Sequence, residues 1–330
     1  MQEIKYTKDD FSSKTEVRWC PGCGDYAILA AIQRILPELG LPPEKHVFVS
    51  GIGCSGRLPY YMNAYGYHTI HGRALPVATG IKAFREDLTV WVITGDGDSL
   101  SIGGNHLLHC LRRNVNVNIL LVNNQVYGLT KGQFSPTSHL GQITKTSPNG
   151  VSTQPINPLA LALTAGASFV ARAVDKDPGH LGSILKQAYE HRGCAFIEIN
   201  QDCHIFNAGA FDEFSIKSHR MERTIDLQKG QPLLYGAHKE SGLMWQEDEL
   251  VRTTSEKASA FQHDPTQYGR ALQLMHLDAH EFPIPLGVYY QKERPVFQLQ
   301  ATTSKTVEDL PDLFRAKNVW SMMPDHVIKK

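Results

Sequence analysis

The sequence predicts an α/β fold built on a mostly parallel, doubly wound sheet. Two short apolar runs rich in β-branched residues, 89–94 and 117–122, have the length and composition of buried strands. Between them, residues 102–113 carry leucines at helical spacing, which indicates a crossover helix. Because strand, helix and strand follow one another here, we expect parallel strands with helices on both faces of the sheet.

The same alternation continues along most of the chain. Helices are predicted at residues 25–39, 76–85, 159–165 and 179–191, and strands at residues 47–50, 169–174 and 195–200. Residues 128–157 are a long stretch rich in Thr, Ser, Gln, Gly and Pro, and ordered loops of that length are often functional.

The pattern divides the chain into three parts. Residues 1–18 are polar and predict an N-terminal arm, and residues 19–225 predict the α/β domain. From residue 226 to 330 the pattern fades between prolines, which predicts an irregular C-terminal extension for subunit contacts with isolated strands such as residues 288–290. A small independent module is the alternative for this last part.

Composition excludes several classes of function. The 33 basic and 33 acidic residues balance, so bulk charge gives no reason to expect a nucleic acid partner. No apolar run approaches the ~20 residues that cross a bilayer, so we expect no membrane association and a soluble, cytoplasmic protein. The 15 histidines show no repeated metal spacing.

Two polar motifs follow the two central strands. The first is Gly95-Asp96-Gly97-Asp98, and the second is residues 123–126, Asn-Asn-Gln-Val. Open α/β sheets bind ligands at the carboxyl ends of their strands, where both motifs fall. A carboxylate at Asp96, an amide oxygen at Asn124 and the backbone carbonyl of Val126 are hard oxygen ligands of the kind that Mg²⁺ takes beside phosphate oxygens. We therefore expect a diphosphate cofactor held through magnesium. A strand-end turn and an unrelated loop are the alternative.

The next helix strengthens this expectation. Gly103 and the glycine after it open that helix, whose free N–H groups would face the phosphates.

The six cysteines fall into two groups. Cys110 and Cys194 lie beside predicted core elements and are most simply small core residues. The other four stand in loops at a helix start and at two strand ends that can converge on one rim of the sheet: Cys20, Cys23, Cys54 and Cys203. Four convergent thiolates can bind zinc or an iron–sulfur cluster, and Cys-x-x-Cys alone can be a redox dithiol. Spacing leaves these alternatives open, but disulfides are not expected.

The motifs together resemble those of thiamine diphosphate enzymes, and more closely the β subunit of 2-oxoacid:ferredoxin oxidoreductases, most of all the 2-oxoglutarate type. The segments that carry the resemblance, in family order, are residues 19–24, 51–57, 71–80, 95–98 and 127–137. The resemblance covers about residues 15–235.

The resemblance implies cofactors for both groups of residues. It places a [4Fe-4S] cluster on Cys20, Cys23, Cys54 and Cys203, and thiamine diphosphate with Mg²⁺ on the paired motifs. The cofactor contacts it implies are Gly53, Cys54, His71, Gly95, Asp96, Gly97, Asp98, Gly103, Asn124, Gly128, Leu129 and Thr130.

The resemblance also implies an activity. The expected reaction is the coenzyme A-dependent oxidative decarboxylation of a 2-oxo acid to an acyl-CoA and CO₂, with electrons passed through the cluster to ferredoxin, and it is reversible. The glutamate that activates thiamine belongs to the α subunit in this family. We therefore expect an αβ heterodimer or its dimer, inactive without the α subunit.

Substrate choice is expected to depend on positive charge. Lys131 stands where many pyruvate-type relatives have glycine, and a cation there or at Arg57 could pair with the distal carboxylate of 2-oxoglutarate. These two residues and His71 are the predicted catalytic contacts. The alternatives are salt bridges to the α subunit, the same reaction on pyruvate or a branched-chain acid, a non-redox thiamine enzyme, and a zinc-stabilised scaffold subunit.

Overall fold

The computed structural model describes residues 5–298. The helices are α1 Asp25–Ile35, α2 Ala74–Phe84, α3 Asp96–Leu100, α4 Gly104–Arg113, α5 Pro158–Thr164, α6 Pro178–Glu190, α7 Asp212–Ser215, α8 Lys217–Arg223, α9 Ser255–Ala258 and α10 Tyr268–Met275. The strands are β1 His46–Ser50, β2 Tyr65–His68, β3 Thr89–Gly95, β4 Asn118–Asn123, β5 Val126–Tyr127, β6 Gln133–Phe134, β7 Phe169–Val174, β8 Ala195–Asn200, β9 Thr224–Leu227, β10 Leu233–Tyr235, β11 Ser241–Gln246, β12 Glu249–Thr254 and β13 Ile284–Gln291. Short 3-10 helices lie at Lys8–Phe11, Leu36–Leu39, Pro43–Lys45 and Ser55–Tyr61.

A central sheet organises this part of the chain. Within residues 5–298 it has eight strands in the order β2-β1-β3-β4-β8-β7-β13-β9. Neighbouring strands pair in parallel throughout, except that β13 runs antiparallel to β7. The prediction of a mostly parallel sheet is confirmed.

The strands bury side chains on both faces, as a doubly wound sheet requires. On β3, Val90 and Val92 enter the core that contains α2, α4 and α5, whereas Trp91 and Ile93 enter the core that contains α1 and α6. On β4, Ile119 and Leu121 alternate with Leu120 and Val122 in the same way. Within residues 5–298 these two apolar cores pack on opposite faces of the sheet, and a smaller third cluster lies at Val174, Ile284 and Leu286.

The predicted helices and strands of residues 25–200 are found with shifts of a few residues. The largest shift is in the first helix, which was predicted to run to residue 39. It ends at Ile35 and continues as the 3-10 helix Leu36–Leu39, where Pro37 lacks the N–H that an α-helix would use. A strand that the sequence did not predict, β2, is fully exposed at the edge of the sheet.

The part after residue 225 is more ordered than the sequence indicated. Residues 288–290, expected to be an isolated strand, belong to β13 in the central sheet, and β10, β11 and β12 form a separate antiparallel sheet. The signal was weak because β13 is buried along nearly its whole length, without alternation, and begins between prolines. The predicted boundary at 225/226 falls inside β9. Residues 299–330 of the predicted extension lie outside the described residues.

Among residues 5–298 there is no helix both long enough and apolar enough to span a bilayer.

Candidate functional site

Two cavities adjoin each other at the carboxyl ends of the central strands. The larger, of about 650 Å³, contains the two paired motifs, and the smaller, of about 180 Å³, contains the four loop cysteines. The predicted cofactor contacts that line the larger cavity are Gly53, Cys54, His71, Gly95, Asp96, Gly97, Asp98, Asn124, Gly128, Leu129 and Thr130. The two cavities share Cys54, Asn124, Gly128 and Leu129 as a common wall.

Asp96 begins α3 directly after β3 and is only 2% exposed. Its Oδ2 accepts hydrogen bonds from the hydroxyls of Ser135 at 2.5 Å and Thr137 at 2.6 Å, both in the long loop after β6. Burial raises the pKa of this carboxyl group, and the two hydroxyl hydrogen bonds oppose the rise. The hydroxyls therefore hold one carboxylate oxygen and fix the direction of the other.

Asp98, two residues further on, has a different environment. Its Oδ1 accepts from the backbone N–H groups of Ile52 at 3.2 Å and Gly72 at 2.8 Å, and its Oδ2 accepts from the hydroxyl of Thr94 at 3.1 Å. Both oxygens are thus engaged by the protein. Asp98 ties two glycine-containing loops to the end of β3 and so shapes the wall of the larger cavity.

Asn124 lies just after β4, between the two cavities. Its Nδ2 donates to Oε1 of Gln201 at 3.0 Å, and its Oδ1 accepts from the N–H of Val126 at 3.2 Å. These contacts set the orientation of the amide, so that its oxygen is directed away from Gln201. The predicted magnesium ligands Asp96, Asn124 and Val126 all line the larger cavity.

The smaller cavity collects the four loop cysteines from three places in the chain. Cys20 and Cys23 precede α1, Cys54 follows β1, and Cys203 follows β8. Trp19 holds the Cys54 loop by donating its indole N–H to the Cys54 carbonyl at 2.7 Å. The predicted convergence of these loops is observed. Cys110 and Cys194 lie in the apolar core, as expected.

Gly128 lies close to the sulfur atoms of two of these cysteines. A Cβ atom at this position would be 3.5 Å from Sγ of Cys203 and 3.8 Å from Sγ of Cys54. Gly128 therefore brings the backbone of the shared wall into contact with two of the cysteine sulfurs.

Burial favours the neutral thiol form of Cys23 and Cys54 in the absence of a cation. Burial, assisted by the neighbouring Asp25 carboxylate, raises the pKa of Cys23 well above its usual range and that of Cys54 to about 11. Asp25 is itself buried, which raises its pKa to about 7, and its Oδ2 has no hydrogen-bond partner among the described residues. Thiolates at this site would therefore need a positively charged group to stabilise them.

Three predicted contacts lie elsewhere than expected. Lys131 and Arg57 line the cysteine cavity instead of the larger one. Arg57 donates to the carbonyl of Arg18 at 2.6 Å, and Lys131 has a φ of +77°, a value that favours glycine.

Gly103 precedes α4 as predicted but does not line the larger cavity, and its N–H donates to the Asp98 carbonyl at 3.0 Å instead of remaining free. The reason is close packing, since Gly103 lies directly against Gly72.

A buried polar chain runs from Asp96 across the sheet. The hydroxyl oxygen of Thr137 lies 2.9 Å from Oδ1 of Asn123. Nδ2 of Asn123 in turn donates to Oε1 of Glu198 at 2.7 Å. Arg172 then pairs with Glu198 at 2.8 Å, where the Glu198 side chain is 2% exposed. This series of buried hydrogen bonds was not predicted from the sequence, and neither were the contacts of Ser135 and Gln201, because the partners are distant in sequence. The one available signal was the polar composition of the loop after residue 128.

Within residues 5–298 there is no group of three or more His, Cys, Asp or Glu side chains arranged to hold a single metal ion. The predicted magnesium site would use one carboxylate with an amide and a carbonyl, and the four cysteines surround a cavity instead of a point.

The fold and the site define a thiamine diphosphate-binding α/β protein. A family model described as "Thiamine pyrophosphate enzyme, C-terminal TPP binding domain" matches residues 51–199, the segment that contains both paired motifs and Cys54.

More specific relatives narrow this class. The solved 2-oxoglutarate:ferredoxin oxidoreductase from Magnetococcus marinus, with 2-oxoglutarate, coenzyme A and succinyl-CoA bound, is 32% identical, has a TM-score of 0.74, and the match covers 98% of each chain. The chain therefore belongs to the 2-oxoacid:ferredoxin oxidoreductase family.

Two of these curated relatives show the extent of the match. The 2-oxoglutarate oxidoreductase subunit KorB of Mycobacterium tuberculosis is 59% identical over 231 residues, which are 70% of this chain and 62% of the relative. The 2-oxoacid:ferredoxin oxidoreductase subunit beta of Saccharolobus solfataricus is 50% identical over 191 residues, 57% of this chain and 63% of the relative. The matched region thus spans less than two thirds of these relatives.

Proposed function

We propose that the chain is the β subunit of a 2-oxoglutarate:ferredoxin oxidoreductase. The reaction converts 2-oxoglutarate, coenzyme A and oxidised ferredoxin into succinyl-CoA, CO₂ and reduced ferredoxin, and it is reversible. One observation carries the proposal: the cavity with the diphosphate motifs and the cavity with four cysteines share the wall formed by Cys54, Asn124, Gly128 and Leu129. A site for carbon chemistry and a site for an electron acceptor in direct contact fit an oxidative decarboxylase.

The larger cavity fits magnesium and thiamine diphosphate. We assign the magnesium ion to Oδ1 of Asp96, Oδ1 of Asn124 and the carbonyl of Val126, an oxygen set that this ion prefers. The assignment is supported by the Ser135 and Thr137 hydroxyls, which engage the other oxygen of Asp96. When bound, thiamine diphosphate supplies the carbanion for attack on the 2-oxo group. The protein orients the cofactor and keeps the carboxylate of Asp96 directed at its metal.

The smaller cavity fits a [4Fe-4S] cluster on Cys20, Cys23, Cys54 and Cys203. The four thiols line one cavity of about 180 Å³ together with other side chains, and this volume exceeds that of a single zinc ion. The raised pKa of Cys23 and of Cys54 favours a bound cationic group over a free redox dithiol, because a positive charge would keep these buried sulfurs ionised.

The preference for 2-oxoglutarate is supported by the names of relatives and by Lys131. Lys131 has a side chain at a φ of +77°, where glycine would be less strained. Lys131 and Arg57 both line the cysteine cavity, so they place positive charge beside the wall that this cavity shares with the larger one.

The α subunit is the proposed partner at the mouth of the larger cavity. The apolar side chains of Ile102, Leu129 and Phe134 line this cavity and remain exposed, which favours a partner surface that covers them. We propose that activity requires that subunit, that ferredoxin receives the electrons, and that His71, which also lines the cavity, contacts cofactor or substrate.

The test is an anaerobic dye-reduction assay on the purified αβ complex with coenzyme A. We expect activity with 2-oxoglutarate to exceed activity with pyruvate and with a branched-chain 2-oxo acid, in protein that contains thiamine diphosphate and iron. A preference for another acid would overturn the substrate assignment. Protein without thiamine diphosphate and iron would overturn the whole proposal.

A further inference from the structure

Gln201 belongs to none of the sequence motifs, yet it lies between the two cavities. It follows β8 and is only 1% exposed. Its backbone N–H donates to the carbonyl of Asn123 at 2.9 Å, which continues the pairing of β8 with β4 by one residue. The side chain is thereby anchored from a rigid strand end instead of a loop.

The side-chain amide of Gln201 uses both of its ends. Its Oε1 accepts from Nδ2 of Asn124 at 3.0 Å. Its Nε2 donates to the carbonyl of Asp202 at 2.6 Å and to Sγ of Cys23 at 3.4 Å. One amide therefore contacts a residue of the proposed magnesium site and a residue of the proposed cluster site.

The partners determine which way this amide points. The Asp202 carbonyl can only accept a hydrogen bond, so the nitrogen of Gln201 must face it and the oxygen must face Asn124. The Asn124 amide is fixed in turn, since its nitrogen must donate to Gln201 and its oxygen, which accepts from the N–H of Val126, is directed away from Gln201. The N–H directed at Cys23 follows from the same orientation.

We propose that Gln201 is a positioning residue that couples the two cofactor sites, orienting Asn124 for magnesium through its oxygen and donating to the Cys23 sulfur through its nitrogen. The inference rests on the proposed function, because it concerns the cofactors assigned there. A partner that orients a metal ligand typically contributes 10–100-fold to metal affinity. A hydrogen bond to a cluster sulfur stabilises the more negative, reduced state and so raises the reduction potential.

Two substitutions separate the two contacts. Gln201→Met keeps the length of the side chain but removes both the N–H donors and the amide oxygen. We expect it to lower the midpoint potential of the cluster and to weaken the binding of magnesium thiamine diphosphate by about 10–100-fold. Gln201→Glu keeps an acceptor for Asn124 and replaces the N–H groups that face Cys23 and the Asp202 carbonyl by an oxygen. Its negative charge also lowers the potential, so the contribution of the hydrogen bond itself is measured in Gln201→Met. Gln201→Glu should lower the potential while the affinity for magnesium thiamine diphosphate stays close to that of the wild type.

Gln33→Met is the matched control. Gln33 is a buried glutamine on α1 that lines neither cavity and donates to the carbonyl of Tyr61 at 3.1 Å. Its substitution removes a buried amide hydrogen bond without touching either cofactor site, so the potential and the affinity should both be unchanged.

The measurements are an anaerobic redox titration followed by electron paramagnetic resonance, and cofactor binding to the thiamine-depleted αβ complex, each without turnover. A lower potential in both Gln201 variants, with weaker binding only in Gln201→Met, supports the proposal. A potential equal to wild type in the variants, with the cluster intact, overturns it. Wild-type complex that lacks iron and thiamine diphosphate overturns the proposed function itself, so the two failures are distinguishable.

Discussion

The two cavities differ in how the chain builds them, although they share a wall. Most of the larger cavity comes from short segments next to β3 and β4, so its polar groups are close in sequence. The smaller cavity comes from loops before α1, after β1 and after β8, whose cysteines are brought together only when the sheet forms. The larger cavity therefore depends mainly on turns next to two strands, whereas the cysteine cavity depends on formation of the whole sheet.

Loss of the cluster from the cysteine cavity should leave cofactor binding in the larger cavity intact, and this is the largest effect we expect. Cys23→Ser and Cys203→Ser remove a proposed cluster ligand each and should abolish the cluster signal in electron paramagnetic resonance, whereas magnesium thiamine diphosphate still binds. Cys110→Ala is the control, because Cys110 lies in the apolar core away from both cavities. An intact cluster in Cys203→Ser would contradict the ligand assignment.

The reciprocal experiment removes a ligand from the larger cavity. Asp96→Asn should weaken magnesium-dependent thiamine diphosphate binding by more than about 100-fold, since loss of a direct ligand exceeds the 10–100-fold loss of an outer partner. Titration calorimetry on cofactor-depleted complex measures this, and the cluster signal should persist.

Asp98→Asn is the comparison for Asp96. Asp98 engages the protein with both oxygens, so its substitution should chiefly lower the free energy of unfolding, by about 1–3 kcal/mol. Equal losses of cofactor affinity in the two variants would show that our distinction between these carboxylates is wrong.

Two glycines test how closely the walls are packed. A Cβ at Gly97 would lie 2.1 Å from Cε1 of Tyr127, so Gly97→Ala should destabilise the complex by about 1–3 kcal/mol through overpacking. Gly128→Ala places its methyl group at ordinary contact distance from two sulfurs and should be tolerated. Urea unfolding measures both, and equal destabilisation would contradict the geometry of the shared wall.

The smallest expected effect is at Lys131. Lys131→Gly should raise the free energy of unfolding by about 1 kcal/mol because glycine accepts the positive φ without strain. Lys131→Ala keeps the strained backbone but removes the charge. Both variants should lose the preference for 2-oxoglutarate over pyruvate, measured as the ratio of kcat/KM values, and only Lys131→Gly should be more stable. Retention of the preference in both would exclude a substrate role for the charge.

Features of the fold and the site could be predicted from the sequence where the residues that define them are adjacent in the chain. The apolar runs before Gly95 and Asn123 located two strands, and the motifs after them located the larger cavity. The four loop cysteines could be grouped because strand ends of a parallel sheet meet at one edge.

The remaining contacts could not be predicted because their partners are far apart in the chain. Ser135 and Thr137 reach Asp96 across 39 and 41 residues from an irregular loop, and nothing in their spacing indicates that distance. Gln201 reaches Cys23 across 178 residues. Neither kind of contact leaves a periodic pattern. Only residues 288–290 of β13 were predicted as a strand, and their place in the central sheet was missed, because continuous burial gives a strand no alternation.

The place of β13 has a consequence for the order in which the newly made chain can fold. β13 fills the position between β7 and β9, and its Tyr289 hydroxyl meets Arg172 across 117 residues of sequence. Until those later residues leave the ribosome, the edge of β7 has free N–H and C=O groups, and the buried pair of Arg172 and Glu198 lacks its tyrosine cover. An unpaired strand edge readily pairs with other chains. Translation that stops before residue 284 should therefore yield aggregates instead of a smaller folded protein.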